Sequence, residues 1–477
     1  MMNVIQSIYD NVKSCIMMQA CDVNGNTNVH VSEMFNCDNG PREGEILSPI
    51  LFSLYVNDLS KFLEDNFCQG VIVDSCDEND VLFHVKMLLL MYADDTVLFA
   101  SSKQQLQHSL DAYSKYCKTW NIDINVCKTK IMCFGRKVNH SFFLNGENIE
   151  LVDSFVYLGV TFSRNGRFTQ AIKHNIDKAR KAMFTLRSTF KEKLIPIDCQ
   201  IDLFVRTVEP VLLYGTEVWG LENIKILERF RLKVLKQILG IKNSTPSYMV
   251  YGETGLQPLI VKIKQRMLNY WYNLINGKHD KIAFQLFQLM LKDKIANNAH
   301  YKWLHQIENI LNESGHSYLW VQQTANQMQI NLIKKTISDQ EQQHLESACN
   351  DSTKGKIYAY IKESWDTEYY ISNLRDEQIK SLIKFRTCNN KLPVETGRYT
   401  NVPYEQRKCP FCKIHIGDEF HYLLECNEFD IVRKKYVKKY FYKHLNIYKY
   451  KQLMTSKNND VLINLSLFIR TIMKRFH

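Results

Sequence analysis

The sequence predicts an α+β protein: a mostly antiparallel sheet with helices over residues 1–165, a long helical stretch after it, and a small C-terminal module bearing cysteine and histidine. Three observations predict it. Short apolar runs separated by Asn-Gly turns fill the first third of the chain, as strands in hairpins do. From Phe168 onward apolar residues recur every three or four positions, the period of a buried helix stripe. Cys409, Cys412 and Cys426 crowd together, while most other cysteines stand singly.

Taken in order, the first forty residues read as a helix followed by a hairpin, with Asn24-Gly25 turning between Ala20 to Val23 and Val29 to Val31. Gly40-Pro41-Arg42-Glu43-Gly44 forms a flexible loop that leads to Ser48-Pro49, where serine can cap a helix and proline is tolerated at its first position. Leu51, Leu54, Tyr55, Leu59 and Phe62 carry one amphipathic helix to about Glu64. Residues 87–92 and 96–100 are two apolar segments, expected to be buried, joined through Ala93-Asp94-Asp95 as a tight hairpin. Ser102 to Gln105 matches a capping box, and Leu106, Leu110, Tyr113, Cys117 and Trp120 give the next helix its stripe. Lys130 to Phe134 resumes the sheet, Asn145-Gly146 turns the chain back, and Phe155 to Phe162 reads as one further strand ending at Asn165-Gly166.

The helical part opens with Ile172, Ile176, Ala179, Met183 and Leu186 on one face and Lys173, Lys178, Arg180, Lys181 and Arg187 around the rest. Helical periodicity returns at 199–214, bent or broken near Pro210, and at 223–239, where Gly240 is a stop. Residues beyond 256 are mainly helical.

Composition limits the class. A chain of 477 residues suggests two to four domains, and 45% hydrophobic with 23% charged residues is a soluble globular balance. The longest apolar run, Met87 to Tyr92, is far below the ~20 residues of a membrane span, and Met1 to Gln19 has no secretion signal. No membrane partner is expected. Cys117, Cys127, Cys133, Cys199 and Cys349 read as reduced thiols of an intracellular protein, nuclear or cytoplasmic. Lys and Arg exceed Asp and Glu by 61 − 50 = 11, which suits a polyanionic partner.

Adjacent aspartates at a hairpin tip allow two readings. They are an exposed turn with solvated carboxylates, or they hold divalent cations that relieve their repulsion. Their surroundings favour the second. Tyr92-Ala93-Asp94-Asp95, with Leu88 to Leu90 before and Val97 to Phe99 after, resembles the catalytic motif of reverse transcriptases. Gly40 to Gly44 followed by Leu47 to Phe52 and Tyr55 resembles the family's template- and nucleotide-binding loop and helix. Asn125 to Thr129 and Tyr157-Leu158-Gly159-Val160 match two later motifs in order. The nearest resemblance is to reverse transcriptases of non-LTR (LINE-like) retrotransposons, and Arg386 to Cys426 looks like the tail of those polyproteins.

The resemblance implies a partial polymerase fingers and palm over 1–165, a helical thumb over 166–255, a helical extension over 256–400 and a zinc module with basic tail over 401–477. It implies an RNA-directed DNA polymerase acting on an RNA template, a DNA primer and deoxynucleoside triphosphates. Asp94 and Asp95 would be catalytic ligands of Mg2+ in a two-metal mechanism. Arg42, Gly44, Ser48 and Lys128 would bind template and nucleotide, and Leu158 and Gly159 the primer. Ser48 as a plain helix cap and Lys128 as a solvated charge remain open, as does Gly159 as simple strand geometry.

Two departures stand out. The family takes another catalytic carboxylate from a strand ahead of the helix that here begins near Met2, so an inactive chain is expected unless an upstream polypeptide supplies it. Glu43 stands where the family usually has glutamine. An alternative is a non-catalytic nucleic-acid-binding remnant that uses the zinc module and basic helices.

Cys409-Pro410-Phe411-Cys412 followed by His421 and Cys426 offers four soft or borderline donors for a structural, tetrahedral Zn2+. His415 is the rival ligand, and a helix start at 419–426 favours His421. Residues 431–450 hold seven Lys or Arg and no acid, interleaved with Tyr436, Tyr440, Phe441, Tyr442, Tyr448 and Tyr450. That pattern fits either single-strand binding or a helix core.

Overall fold

The computed structural model describes residues 12–21, 27–36, 44–76, 82–135, 140–278, 280–297 and 299–476. Two compact units emerge, one of residues 1–131 with 138–152, the other of 132–137 with 153–477. Helix dominates, and the strands form several small sheets rather than one continuous sheet.

In the first unit, β1 (Met17–Cys21) and β2 (Thr27–Val31) form the expected antiparallel hairpin. Asn24, Gly25, Arg42, Glu43 and the helix expected near Met2 lie outside the described residues. The helix expected over 48–64 is two, α1 (Ser48–Tyr55) and α2 (Leu59–Asp65). Val56 is buried between them, and Asp58 at the start of α2 accepts a hydrogen bond from the Tyr116 hydroxyl, which fixes the break. The apolar period is continuous across it, so periodicity alone cannot show it. No residue of α1 is buried, and Leu47 occupies the cap position without a side-chain bond. Ser48 is thus the first helical residue and not the cap.

β3 (Val71–Cys76) pairs with β4 (Leu82–Met87), and β5 (Leu89–Tyr92) with β6 (Asp95–Leu98). Beneath the second hairpin runs α3 (Lys103–Thr119). Ser102 accepts a hydrogen bond from the Gln105 amide at 3.2 Å, and the Gln105 side chain accepts one from the Ser101 amide rather than closing the box on Ser102. Ala112, Tyr116 and Cys117 of α3 join Leu59, Leu63, Cys68 and Leu88 in a small core against which Leu89, Met91 and Leu98 pack. The sheet expected from 130 is short: β7 (Lys130–Ile131) pairs in parallel with β9 (Glu147–Leu151), itself antiparallel to β8 (Phe142–Leu144). Asn145 and Gly146, at φ 55° and 83°, make the expected tight turn.

In the second unit, residues 155–162 are a hairpin and not one strand, with β10 (Ser154–Tyr157) antiparallel to β11 (Val160–Ser163). α4 (Thr169–Glu192) buries Ile172, Ile176, Ala179 and Met183 as expected. α5 (Ile197–Leu203) continues through a π-turn at Phe204–Val208 into a short helix at Glu209–Leu212. Proline has no amide hydrogen to donate, and the wider turn ahead of Pro210 absorbs the missing bond. α6 (Ile224–Leu239) stops at Gly240, which caps it in the left-handed region.

One apolar core runs from Ile172 to Ile472 and takes in Cys409, Tyr422, Leu423 and Cys426. Buried ion pairs cross it. Arg231 meets Glu209 at 2.9 Å, and Arg386 meets Glu253 at 3.0 Å with both side chains fully buried. Arg386 also reaches Glu368 at 2.9 Å and donates to the Met454 carbonyl at 2.8 Å. Removing one member of such a pair strands the other charge in the core. Arg386→Met should cost the second unit ~3 kcal/mol or more in urea denaturation followed by tryptophan fluorescence, and Arg386→Met with Glu253→Met should recover a large part of that loss.

Candidate functional site

The hairpin of β5 and β6 presents the paired carboxylates. Tyr92 and Asp95 are the last paired residues, so Ala93 and Asp94 alone form the turn. Ala93 lies at φ 52°, a left-handed conformation that costs an L-residue energy and is held here by the strands on either side. The strands are half-exposed rather than buried: Leu90 and Tyr92 face solvent while Leu89 and Met91 face α3. Both aspartates are exposed, so burial is not what makes them costly, and mutual repulsion is the term that remains. Neither carboxylate has a hydrogen bond or ion pair among the described residues.

The other expected residues of this unit sit on separate elements. Gly44, ahead of α1, has φ 81°, which glycine adopts freely. Ser48 opens α1. Lys128 projects into solvent from a turn in which Asn125 accepts hydrogen bonds from the backbone amides of Lys128 and Thr129.

Leu158 and Gly159 belong to the second unit and form the turn between β10 and β11, at φ 46° and 77°. Gly159 is therefore a turn residue and not an obstacle-free point within a strand. Tyr214 clamps it: its hydroxyl donates to the Leu158 carbonyl at 2.7 Å, and a Cβ on Gly159 would meet its ring at 3.1 Å.

At the far end of the chain Cys409, Cys412, His421 and Cys426 converge, their donor atoms all within 4.8 Å of one another. Cys409 and Cys412 lie on a tight turn, closed by the Cys409 amide donating to His415 and the Lys413 amide donating to Cys409. His421 to Glu425 is a single π-turn that brings His421 and Cys426 onto the same point. The sulfurs of Cys409 and Cys426 are 3.8 Å apart, and Cys412 sulfur lies 3.4 Å from His421 Nε2. His421 Nδ1 faces the Glu425 carboxylate at 3.1 Å, which leaves Nε2 as the ligand atom. His415 stays exposed, outside the four.

Burial pushes the Cys426 thiol up to about 12. Burial acts upward on Cys412 most strongly, but the backbone amides of His415 and Ile414, the Cys409 thiol and its own amide together hold that thiol below its ordinary value. The cluster can hold a metal ion.

A family model for reverse transcriptase (RNA-dependent DNA polymerase) matches residues 4–162, the segment that contains both halves of the carboxylate hairpin. The chain carries a reverse transcriptase domain. The RNA-directed DNA polymerase from mobile element jockey of Drosophila melanogaster is 28% identical over 243 residues, 48% of this chain and 24% of that protein. The probable RNA-directed DNA polymerase from transposon X-element of the same fly is 24% identical over 237 residues, 45% of this chain and 24% of that protein. That from transposon BS is 27% identical over 197 residues, 38% of this chain and 20% of that protein. The chain thus spans at most about a quarter of the length of these relatives, and it is a homologue of non-LTR retrotransposon polymerases.

Three supporting residues of this reverse transcriptase homologue escape a reading of its sequence. Tyr214 is 56 positions from the Leu158 carbonyl it binds, and no local pattern announces it. Glu425 follows His421 by four positions, a helical spacing that could have marked it. Arg433 hides in the basic run, yet it is buried and donates to the carbonyls of Leu423 at 2.8 Å and Cys426 at 2.7 Å while pairing with Asp430 at 3.1 Å. It fixes the backbone that carries two of the four converging donors. Arg433→Met should cost that region ~2–4 kcal/mol, read by hydrogen exchange at residues 421–436, and lysine, lacking the planar fork, should not restore it.

Proposed function

We propose that this chain supplies the palm hairpin, the helical thumb-like region, the helical extension and the zinc-binding end of a non-LTR retrotransposon RNA-directed DNA polymerase. The observation that carries this reading is the pair formed by Asp94 in a two-residue turn and Asp95 at the first paired position after it, inside the segment that matches the reverse transcriptase family. The reaction is template-directed transfer of a deoxynucleotide to a DNA primer on an RNA template, with pyrophosphate leaving.

Asp94 and Asp95, exposed and free of other partners among the described residues, suit hard-cation ligation and would hold Mg2+. When bound, magnesium supplies activation of the primer hydroxyl and neutralisation of the triphosphate. Lys128 stands free to meet phosphates. Gly44 and Ser48 shape the nucleotide pocket, and the turn at Leu158 and Gly159, braced by Tyr214, bears on the primer strand. Residues 1–165 are the fingers and palm portion, 166–255 the thumb, 256–400 the extension and 401–477 the zinc module and tail. The protein works inside the cell, where its thiols stay reduced.

A two-metal site takes a carboxylate from a separate strand as well as from the hairpin. Among the described residues no third His, Cys, Asp or Glu donor converges on Asp94 and Asp95. We propose that these 477 residues alone extend a primer on RNA at background level with magnesium present. Joined to a polypeptide bearing the separate carboxylate strand, they should extend it, and Asp94→Asn should return the reaction to background. Robust extension by the chain alone would refute the inactivity, and extension by the Asn variant would refute the assignment of Asp94.

Zinc fits the cysteine and histidine cluster. A tetrahedron with Zn–S near 2.3 Å and Zn–N near 2.0 Å has S to S edges of about 3.8 Å and S to N edges of about 3.5 Å. The 3.8 Å and 3.4 Å separations here match those edges. The protein dialysed against metal-free buffer should retain one zinc per chain by mass spectrometry, and Cys412→Ser should release it.

A further inference from the structure

The basic, aromatic run at 431–450 divides into an inner and an outer set. Arg433 and Tyr450 are buried, and Tyr436, Phe441 and Tyr442 pack against the core. Tyr440 and Tyr448 instead point outward, 55% and 62% exposed, beside the exposed Leu445 and Ile447. Tyr440 lies on α7 (Lys439–Tyr442) and Tyr448 on α8 (Ile447–Met454), the latter capped by Asn446, and Tyr448 stands one helical turn before Gln452, which Tyr440 meets.

The outer surface is built rather than loose. Tyr440 donates its hydroxyl to the Gln452 side chain at 2.9 Å, and the Lys449 ammonium lies 4.9 Å from the centre of its ring. Lys449 is itself fixed by donating to the Lys443 carbonyl. One face of the ring is thus backed by a cation and its tip is tethered, so a base stacking on the open face meets a preorganised platform. Lys438, Lys439 and Lys443 flank it in the chain, exposed and without a carboxylate partner among the described residues, and residues 431–450 contain no acid at all. Two other cations of the run are spent differently: buried Arg433 and exposed Lys434 both pair with Asp430.

We propose that Tyr440 and Tyr448, with Lys438, Lys439 and Lys443, form a binding surface for single-stranded nucleic acid, the rings stacking on bases and the lysines meeting phosphates. A single strand is favoured over a duplex because its bases are free to leave their own stack and lie on an aromatic ring. Charge complementarity favours a polyanion over an acidic protein, since the surface offers rings spaced among cations rather than an apolar groove. The proposal rests on the polymerase reading only in that such strands are then at hand, and its test needs no catalysis.

The test is fluorescence anisotropy with the whole chain, zinc retained and magnesium omitted, against labelled oligo-U, oligo-dT and a blunt DNA duplex. Tyr440→Leu with Tyr448→Leu changes exposed residues only, so unchanged circular dichroism melting is the control for folding. The double variant should bind one or both single strands at least about tenfold more weakly and the duplex as before, and the strand with the larger loss names RNA or DNA as the preferred ligand. Lys438→Gln, Lys439→Gln and Lys443→Gln together should lower the slope of log affinity against log salt by about 2 on that strand. Unchanged single-strand affinity, an equal loss on the duplex, or a loss seen only on vesicles of phosphatidylserine and phosphatidylcholine overturns the proposal. Failure of the primer-extension test leaves these readings intact.

Discussion

The second unit depends on a charge that has no access to water. Arg386 is buried completely, and its guanidinium pairs with Glu253 and Glu368 and donates to the carbonyl of Met454. These partners come from the helix at Ser247–Thr254, from the segment before the helix at Tyr369–Asn373, and from the end of α8. Lys362 closes the group by pairing with Glu368 at 2.7 Å. An arrangement of this kind adds less net stability than an apolar packing would, because desolvating the ions offsets most of their attraction. What it adds is register: each helix has one position at which no buried charge is left alone.

The two candidate sites differ in how they are supported. The carboxylate turn rests on a few residues of a small core, and its charges stay in water. Charges left in water carry no desolvation cost. The cysteine and histidine cluster is instead sunk in the large core, with its backbone carbonyls held by Arg433 and its histidine oriented by Glu425. One arrangement leaves its charged groups open to solvent, the other encloses its donors.

Legibility of the sequence follows the range of the interaction. The α3 stripe, the face of α4, the stop at Gly240 and the turn at Asn145-Gly146 are local, and each could be read from spacing and turn chemistry. The four converging donors at 409–426 were legible because their spacing is itself the constraint. The break at 56–58 was not, since it hangs on a hydroxyl 58 positions away. Nor was the turn at Leu158-Gly159, because leucine disfavours a positive φ and nothing nearby signals that Tyr214 will hold it. The burial of Arg386, Arg231 and Arg433 was equally hidden: a lone cation in a sequence looks the same on a surface as in a core, and only the partner's position tells them apart.

The continuous core from Ile172 to Ile472 bears on how such a gene decays. A premature stop shortly after residue 400 would remove the wall against which the helices of the middle region close, and would take Met454 and Tyr450 from around Arg386. Late truncation would then uncover apolar surface and an unpaired cation across much of the polypeptide, so it should act as a lesion of solubility long before it acts as one of recognition.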